Sequence, residues 1–528
     1  MSQKYGMLFV LIISVIGGIL GYFLNLNVVQ LLFCIITGIL YVAAVQFMKE
    51  SVKKEANSKR FYLFYMCSYC MLLGALMTKN LLFFHLFAVM VLLSMYPLIL
   101  HRKDEMEIKN GRIYIIFLLA EIVFLLAGTH VIYKVTGSLN YEDIAAYIRG
   151  FSGNTNVMIT IGGLLLFLGY AIFAGIFPVQ FQVTRGSSYC MVEVSVLLSC
   201  LVSKLGIFGM MVLSAFLFSA NTLYGDVLLV TGPLTTIWGL LITLSSTDIR
   251  KILMGINVVT NGFNALSIGL MVLSGKANGY AVCSSILVLA VSSLSLFVLY
   301  MIALELVHKV HTYEINGLIA SGKGNIRLAV AGFLACASLI GVPGFAGFLA
   351  HSMLFNTIIK HIGWKWLTVV YILLWAFFMT AVVRIFMKLF ISKKEQTLRI
   401  LTTDVELQQT AEQKIIDEKN KEVSENKDEN TKTKNPYVIG EILLLGIGLV
   451  QLIIGVFPNQ TIDKIENAII TVLHGENIPG AIPYFAGDVF IGFSIAVLLC
   501  VFLYLNLVHG ILLRAIRNKK NKKLQEKL

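Results

Sequence analysis

Four ionisable side chains stand in the middle of long apolar runs: His85, Glu121, Lys204 and His351. Carrying such a group into hydrocarbon costs at least about 2.5–3.5 kcal/mol, so each is a candidate for moving a proton or an ion. Lys204, in SVLLSCLVSKLGIFGMMVLS, is too far from either polar edge to snorkel. It needs a carboxylate, a backbone acceptor or a water-filled cavity, and reads either as a proton relay or as half of a buried ion pair. Glu121, in FLLAEIVFLLAG, is the one carboxylate at the centre of an apolar run, and its charge state depends on what faces it. His85 and His351 have the chemistry for proton transfer, although a single histidine on an apolar face also serves to hydrogen-bond two helices. Asn257, Asn261 and Asn264, spaced by four and three, share one helix face, which Thr260 and Ser267 extend. That stripe either lines a hydrated path or glues neighbouring helices. Glu193, Asp248, Glu305, His308, Arg384 and Glu441 lie nearer the ends of apolar runs, where solvation or snorkelling accounts for them.

These groups need long helices to carry them. Of 528 residues, 57% are hydrophobic and 13% charged, against about 25% charged in soluble domains, and the mean hydropathy is +0.82. A soluble enzyme, a secreted disulfide scaffold and a disordered protein are excluded. Apolar runs fall at 7–24, 28–48, 61–78, 80–100, 113–133, 157–182, 191–218, 225–247, 251–273, 278–306, 328–361, 366–392, 437–456 and 486–513. The fold class expected is an all-α polytopic membrane protein with about 14 transmembrane helices. Two are expected to be broken: near Pro343, in LIGVPGFAGFLAH, and near Pro178, in FAGIFPVQFQV. A break inside the membrane is tolerated only where protein or a cavity covers it, and such discontinuous helices mark ion sites in transporters. His351 follows the Pro343 break by two turns. The cysteines sit almost wholly in apolar runs as small hydrophobes, and the Cys67–Cys70 pair has no second ligand pair nearby, so no metal site is expected.

The net charge of +13 does not point to nucleic acid. Sixteen basic residues gather in 49–60, 101–112 and the tail from Arg514 to Lys527, all on one face of a fourteen-span count, whereas the opposite loops hold only Lys79, Lys134, Arg149, Lys276, Lys365 and Lys464. Both termini are therefore expected in the cytoplasm. The chain divides into an N-terminal helix pair (1–60), a membrane core (61–392), a charged cytoplasmic linker (393–435) and a two-helix extension with a basic tail (436–528). A short amphipathic helix at the outer surface is expected within 459–480.

The order IFPVQF, LLSCLVSKLGIFG, TDIRKIL, LELVHKVHTYEINGL and ASLIGVPGFAGFLAH resembles the antiporter-like membrane subunits shared by complex I (NADH–quinone oxidoreductase), Mrp-type Na+/H+ antiporters and membrane-bound hydrogenases, over about residues 75–460. The resemblance implies a central hydrophilic axis in which a glutamate pairs with a lysine at one break. A second lysine and a basic or acidic group at a later break continue it. Lys204 falls on the second lysine, His351 on the later break, and Asp248, Arg250 and Lys251 on a D-x-K-R element. The chain departs from that pattern where the paired glutamate and lysine read Val89 and Phe173, and where a histidine and a tryptophan after the proline read Gln180 and Gln182. Glu121, one span later, is the candidate substitute carboxylate, with Asn257, Asn261, Asn264, Asp248, Lys251 and His85 as supporting polar groups. The resemblance further implies a multi-pass subunit of a prokaryotic cytoplasmic membrane that translocates protons or Na+. Its partners would be other membrane subunits of the same complex, the lipid bilayer and peripheral redox subunits oxidising NADH, ferredoxin or hydrogen. No flavin, haem or cluster motif appears, so no cofactor is expected in this chain. Two alternatives stay open: a non-conducting scaffold that has lost the pair, and the membrane subunit of an inorganic-carbon uptake system.

Overall fold

An apolar helix of about 20 residues crosses a bilayer with its backbone hydrogen bonds satisfied within itself, and the chain repeats that solution. In the computed structural model residues 28–55, 57–150, 157–216, 222–274, 279–359, 365–392, 437–458 and 488–506 are described. The first four helices are α1 (Val28–Lys54), α2 (Ser58–Met77), α3 (Leu81–Ile99) and α4 (Glu105–Thr136). A short α5 (Tyr141–Arg149), absent from the sequence expectation, precedes α6 (Val157–Ala174) and α7 (Phe181–Tyr189). Next, α8 (Val192–Leu197) runs through a π-turn, Leu198–Val202, into α9 (Ser203–Phe216), followed by α10 (Thr222–Ser245), α11 (Ile249–Leu273) and α12 (Gly279–Val310). The last are α13 (Ile326–Ile340), α14 (Ala346–Thr357), α15 (Lys365–Phe386), α16 (Val438–Val456) and α17 (Asp488–Asn506).

Among the described residues 12 helices are long and apolar enough to cross a membrane, and α13 with α14 makes one more, interrupted crossing. These answer to all the expected spans except 7–24. That run, the 393–435 linker, the 459–480 helix and the basic tail lie outside the described residues. The apolar stretch of α12 is buried throughout, making it the central helix, while that of α17 is only 17% buried.

Close backbone packing fixes the polar face of α11. Gly232 and Gly239 of α10 meet Gly255 and Gly262 of α11. A Cβ on Gly239 would lie 2.7 Å from Val259 N, and one on Gly262 2.7 Å from Gly232 O. Small residues at such spacing let two membrane helices touch along their backbones.

Loops sort to two ends. At one, Arg102 pairs with Glu55 at 2.5 Å and reaches Tyr313 Oη at 3.3 Å, and Arg250 lies over the same ring at 3.9 Å. At the other, Asn80 Nδ2 donates to Asn140 Oδ1 at 3.0 Å. The basic loops 49–60 and 101–112 thus share an end, as the charge pattern requires.

Both expected breaks are present, with one boundary corrected. The 157–182 run is not one span ending at a kink: α6 stops at Ala174, Gly175 turns at φ +71°, the Phe177–Pro178 peptide is cis, and α7 is a separate short helix. The later break lies between Ile340 and Ala346, with Gly341 at φ +77° and Gly344 at φ +91°. Gly347 is required there, because a Cβ would stand 1.6 Å from Ser338 O.

Candidate functional site

Lys204 begins the turn after the π-turn, a local widening that recurs at functional positions. Its side chain is buried at 5% exposure and points at α11. Nζ donates to Thr260 Oγ1 at 2.9 Å and to Asn261 Oδ1 at 2.6 Å. Asn261 Nδ2 donates in turn to Ala174 O, the last residue of α6, at 2.6 Å. One asparagine thereby ties the lysine to the first break. One turn earlier, Asn257 Nδ2 donates to Ser203 Oγ at 3.0 Å, and Ser199 shares a 2.8 Å bond with Tyr300 Oη. The four ion pairs among the described residues all lie elsewhere. Among the described residues Lys204 is therefore not half of a buried ion pair. Two hydrogen bonds to a charged donor, each about 1.5–3 kcal/mol, are enough to offset an insertion cost of about 2.5–3.5 kcal/mol. A cavity of about 20 Å³ beside it, lined by Thr37, Cys200 and Ser293 among apolar groups, is large enough for one water.

His351, on α14, packs back against the second break, where a Cβ on Gly341 would lie 3.1 Å from its ring. Its Nδ1 shares a 2.6 Å bond with Tyr371 Oη, its ring also reaches the Leu339 carbonyl, and it stacks on Trp375 at 5.0 Å. Trp375 Nε1 donates to Ile340 O at 2.9 Å, capping the broken end of α13. A cavity of about 10 Å³ adjoins the imidazole, lined by Thr260, Ser292 and Gly347 among others. Thr260 is the link: the hydroxyl that binds Lys204 belongs to the residue that lines the His351 cavity.

A third group stands where the resemblance would put the glutamate–lysine pair. His85 Nε2 shares a 2.6 Å bond with Tyr170 Oη, and Nδ1 a 2.8 Å bond with Thr129 Oγ1. His85 is one turn before Val89 on α3, and Tyr170 three residues before Phe173 on α6. A neutral hydrogen-bonded pair thus replaces a charged one, a turn away. Glu121 is fully buried, with Gln182 as its polar neighbour and Tyr114 and Tyr170 within electrostatic reach. Neither of its oxygens makes a well-formed hydrogen bond.

The remaining candidates divide. Asn264 donates to Thr260 O within its own helix at 2.9 Å, and Ser267 bonds Ser284 of α12. Asp248 caps α11 through Arg250 N at 2.9 Å and pairs with the Arg250 guanidinium at 2.8 Å, while Lys251 sits over Tyr189 at 4.6 Å. Both stand at the charged end, away from Lys204. Sequence reasoning missed Tyr170, Tyr371 and Trp375. The usable signal was a Tyr or Trp deep in an apolar helix, whose polar atom must find a partner.

A model of the NADH:quinone oxidoreductase/Mrp antiporter transmembrane family matches residues 78–380, more than half of the chain. The chain is 27% identical over 281 residues to a subunit of the Na(+)/H(+) antiporter of Bacillus subtilis (strain 168), covering 52% of this chain and 55% of that protein. It is 22% identical over 316 residues to hydrogenase-4 component B of Escherichia coli (strain K12), covering 58% and 46%. The chain thus spans about half the length of these curated relatives. Its fold is similar to a chain in the Mrp complex from Dietzia sp. DQ12-45-1b, with a TM-score of 0.67, 18% identity and coverage of 84% and 83%. It is similar to a chain of respiratory complex I from Thermus thermophilus with a TM-score of 0.67, 16% identity and coverage of 86% and 85%.

Proposed function

For a chain that belongs to the NADH:quinone oxidoreductase/Mrp antiporter transmembrane family, we propose that it is an ion-translocating membrane subunit of a multi-subunit complex, with protons as its cargo. The observation that carries this reading is the placement of Lys204. A titratable amine is held by neutral oxygens, one of them on the residue that borders the His351 cavity. A lysine held by neutral oxygens can exist with or without its proton, and an ammonium repels Na+. In this mechanism a proton leaves Nζ for water beside Thr260 and reaches the His351 imidazole. The Tyr371 hydroxyl and the Leu339 carbonyl hold that ring in place. His85, Tyr170 and Glu121 form the polar group on the far side of the α6 break.

The charged end faces the cytoplasm by the excess of lysine and arginine in its loops, and both termini lie on that side. The partners are other membrane subunits of the complex and, where the complex is redox-driven, peripheral subunits that hold the electron carriers.

One observation favours a second reading, a non-conducting scaffold: Val89 and Phe173 are apolar where the resemblance expects the charged pair. Lys204→Met separates the two, since it keeps length and packing while deleting the amine. In the assembled complex in proteoliposomes, the variant should abolish proton pumping while leaving subunit composition intact. Pumping at the wild-type rate would make the scaffold reading correct.

A further inference from the structure

At the charged end α12 finishes beside the start of α16, and the two helices run antiparallel. Glu305 of α12 is 8% exposed and Glu441 of α16 is 1% exposed, and their carboxyl groups are neighbours that accept from one amide nitrogen. Asn325 bridges them, donating to Glu441 Oε1 at 2.6 Å and to Glu305 Oε1 at 3.4 Å. Arg327 pairs with Glu441 at 3.4 Å from a half-exposed position and makes no other ion pair among the described residues. Lys309 is a further cation near Glu305 among the described residues, and α1 contributes Phe47 against Gly440.

We propose that Glu305 and Glu441 form a proton-loading site at the charged end of the bundle, feeding the His351 break along the seam between α12 and α16. The proposal rests on the ion-translocation reading above and adds an inlet to it.

Arg327 bonds Glu441, and Lys309 turns to Ser321 O at 3.5 Å and makes no ion pair with Glu305 among the described residues, so two neighbouring buried carboxylates with this little positive charge hold a proton between them. Glu305 Oε2 is the natural place for it, because that buried oxygen has no hydrogen-bond partner among the described residues. A simple staple between α13 and α16 needs Arg327, Asn325 and one carboxylate; Glu305 is surplus to it.

The seam continues inward. Ten residues deeper on each helix, a rise of about 15 Å, Ser295 Oγ donates to Gln451 Oε1 at 2.7 Å. Gln451 is fully buried and its Nε2 has no partner among the described residues, which marks a position where water completes the bonding. Ser292, three residues from Ser295, lines the His351 cavity. Gly455, one turn past Gln451, packs on Gly344 and Phe345 of the break itself. Glu441 and Gln451 both lie outside residues 78–380, the region matched to the family.

The test uses the whole complex, by infrared difference spectroscopy in H2O and D2O and by proton uptake in proteoliposomes. At neutral pH a protonated-carboxyl band should shift on deuteration and vanish in Glu305→Gln. Proton movement should fall at least tenfold in Glu305→Gln and recover in Glu305→Asp. Gln451→Leu, which leaves the carboxyls untouched, should produce the same loss without removing the band. Wild-type proton movement in assembled Glu305→Gln would overturn the inlet, as would a band that answers to Na+ rather than to pH. If Lys204→Met is inactive while Glu305→Gln is fully active, the inlet alone fails. If both pump normally, the ion-translocation reading fails with it.

Discussion

Thr260→Val is the sharpest perturbation of the proposed axis. Valine keeps the volume and branching of threonine, so α11 should pack unchanged between α10 and α12. The hydroxyl it deletes accepts from Lys204 Nζ at 2.9 Å and donates to Asn257 O at 2.9 Å, on the residue that also lines the His351 cavity. A hydrogen bond to a charged group contributes about 1.5–3 kcal/mol. If that bond is made along the transfer route, its loss slows transfer by about 10- to 150-fold, at about 1.36 kcal/mol per factor of ten. Asn261 still holds Lys204 at 2.6 Å, so the lysine stays in place and the loss reads on transfer rather than assembly. The assay is proton uptake by proteoliposomes containing the assembled complex, followed with an internal pH dye. Thr260→Ser restores the hydroxyl and should restore most of the rate. Wild-type uptake by Thr260→Val, or a Thr260→Ser variant as slow as valine, would refute the argument that this hydroxyl connects the two sites.

Gly347→Ala should prevent stable assembly or sharply lower the melting temperature in detergent, because its Cβ would stand 1.6 Å from Ser338 O, whereas Gly446→Ala, with nothing within 4 Å, should be neutral. Glu121→Gln should change proton uptake by less than a factor of about three, since its polar neighbour is Gln182 and not Lys204; a loss as large as that of Lys204→Met would place Glu121 on the main route. A topology reporter fused after Lys434 should read cytoplasmic, and an extracytoplasmic signal would reverse the charge-based orientation.

Composition and apolar run length were enough to determine an all-α membrane protein, because a bilayer leaves a helix almost no competitor and demands about 20 apolar residues for each crossing. The same argument located Lys204, since an amine that deep cannot be there by accident of solvation, and it located the Pro343 break, since a proline flanked by glycines cannot continue a helix. The sharing of an end by the basic loops 49–60 and 101–112 was also legible, because charge sorting acts on local sequence. Partnership was not legible. That Lys204 is held by Thr260 and Asn261 rather than by a carboxylate depends on how α9 and α11 are rotated against each other, which the glycine contacts between α10 and α11 help to set. His85 found Tyr170, and Glu305 found Glu441, across 85 and 136 residues of chain. Glu305 and Glu441 each read as an ordinary helix-end residue until packing set them against each other. Helices are local and one-dimensional, so sequence specifies them. Which side chains face one another is decided by helix rotation and register, and those exist only once the bundle is packed.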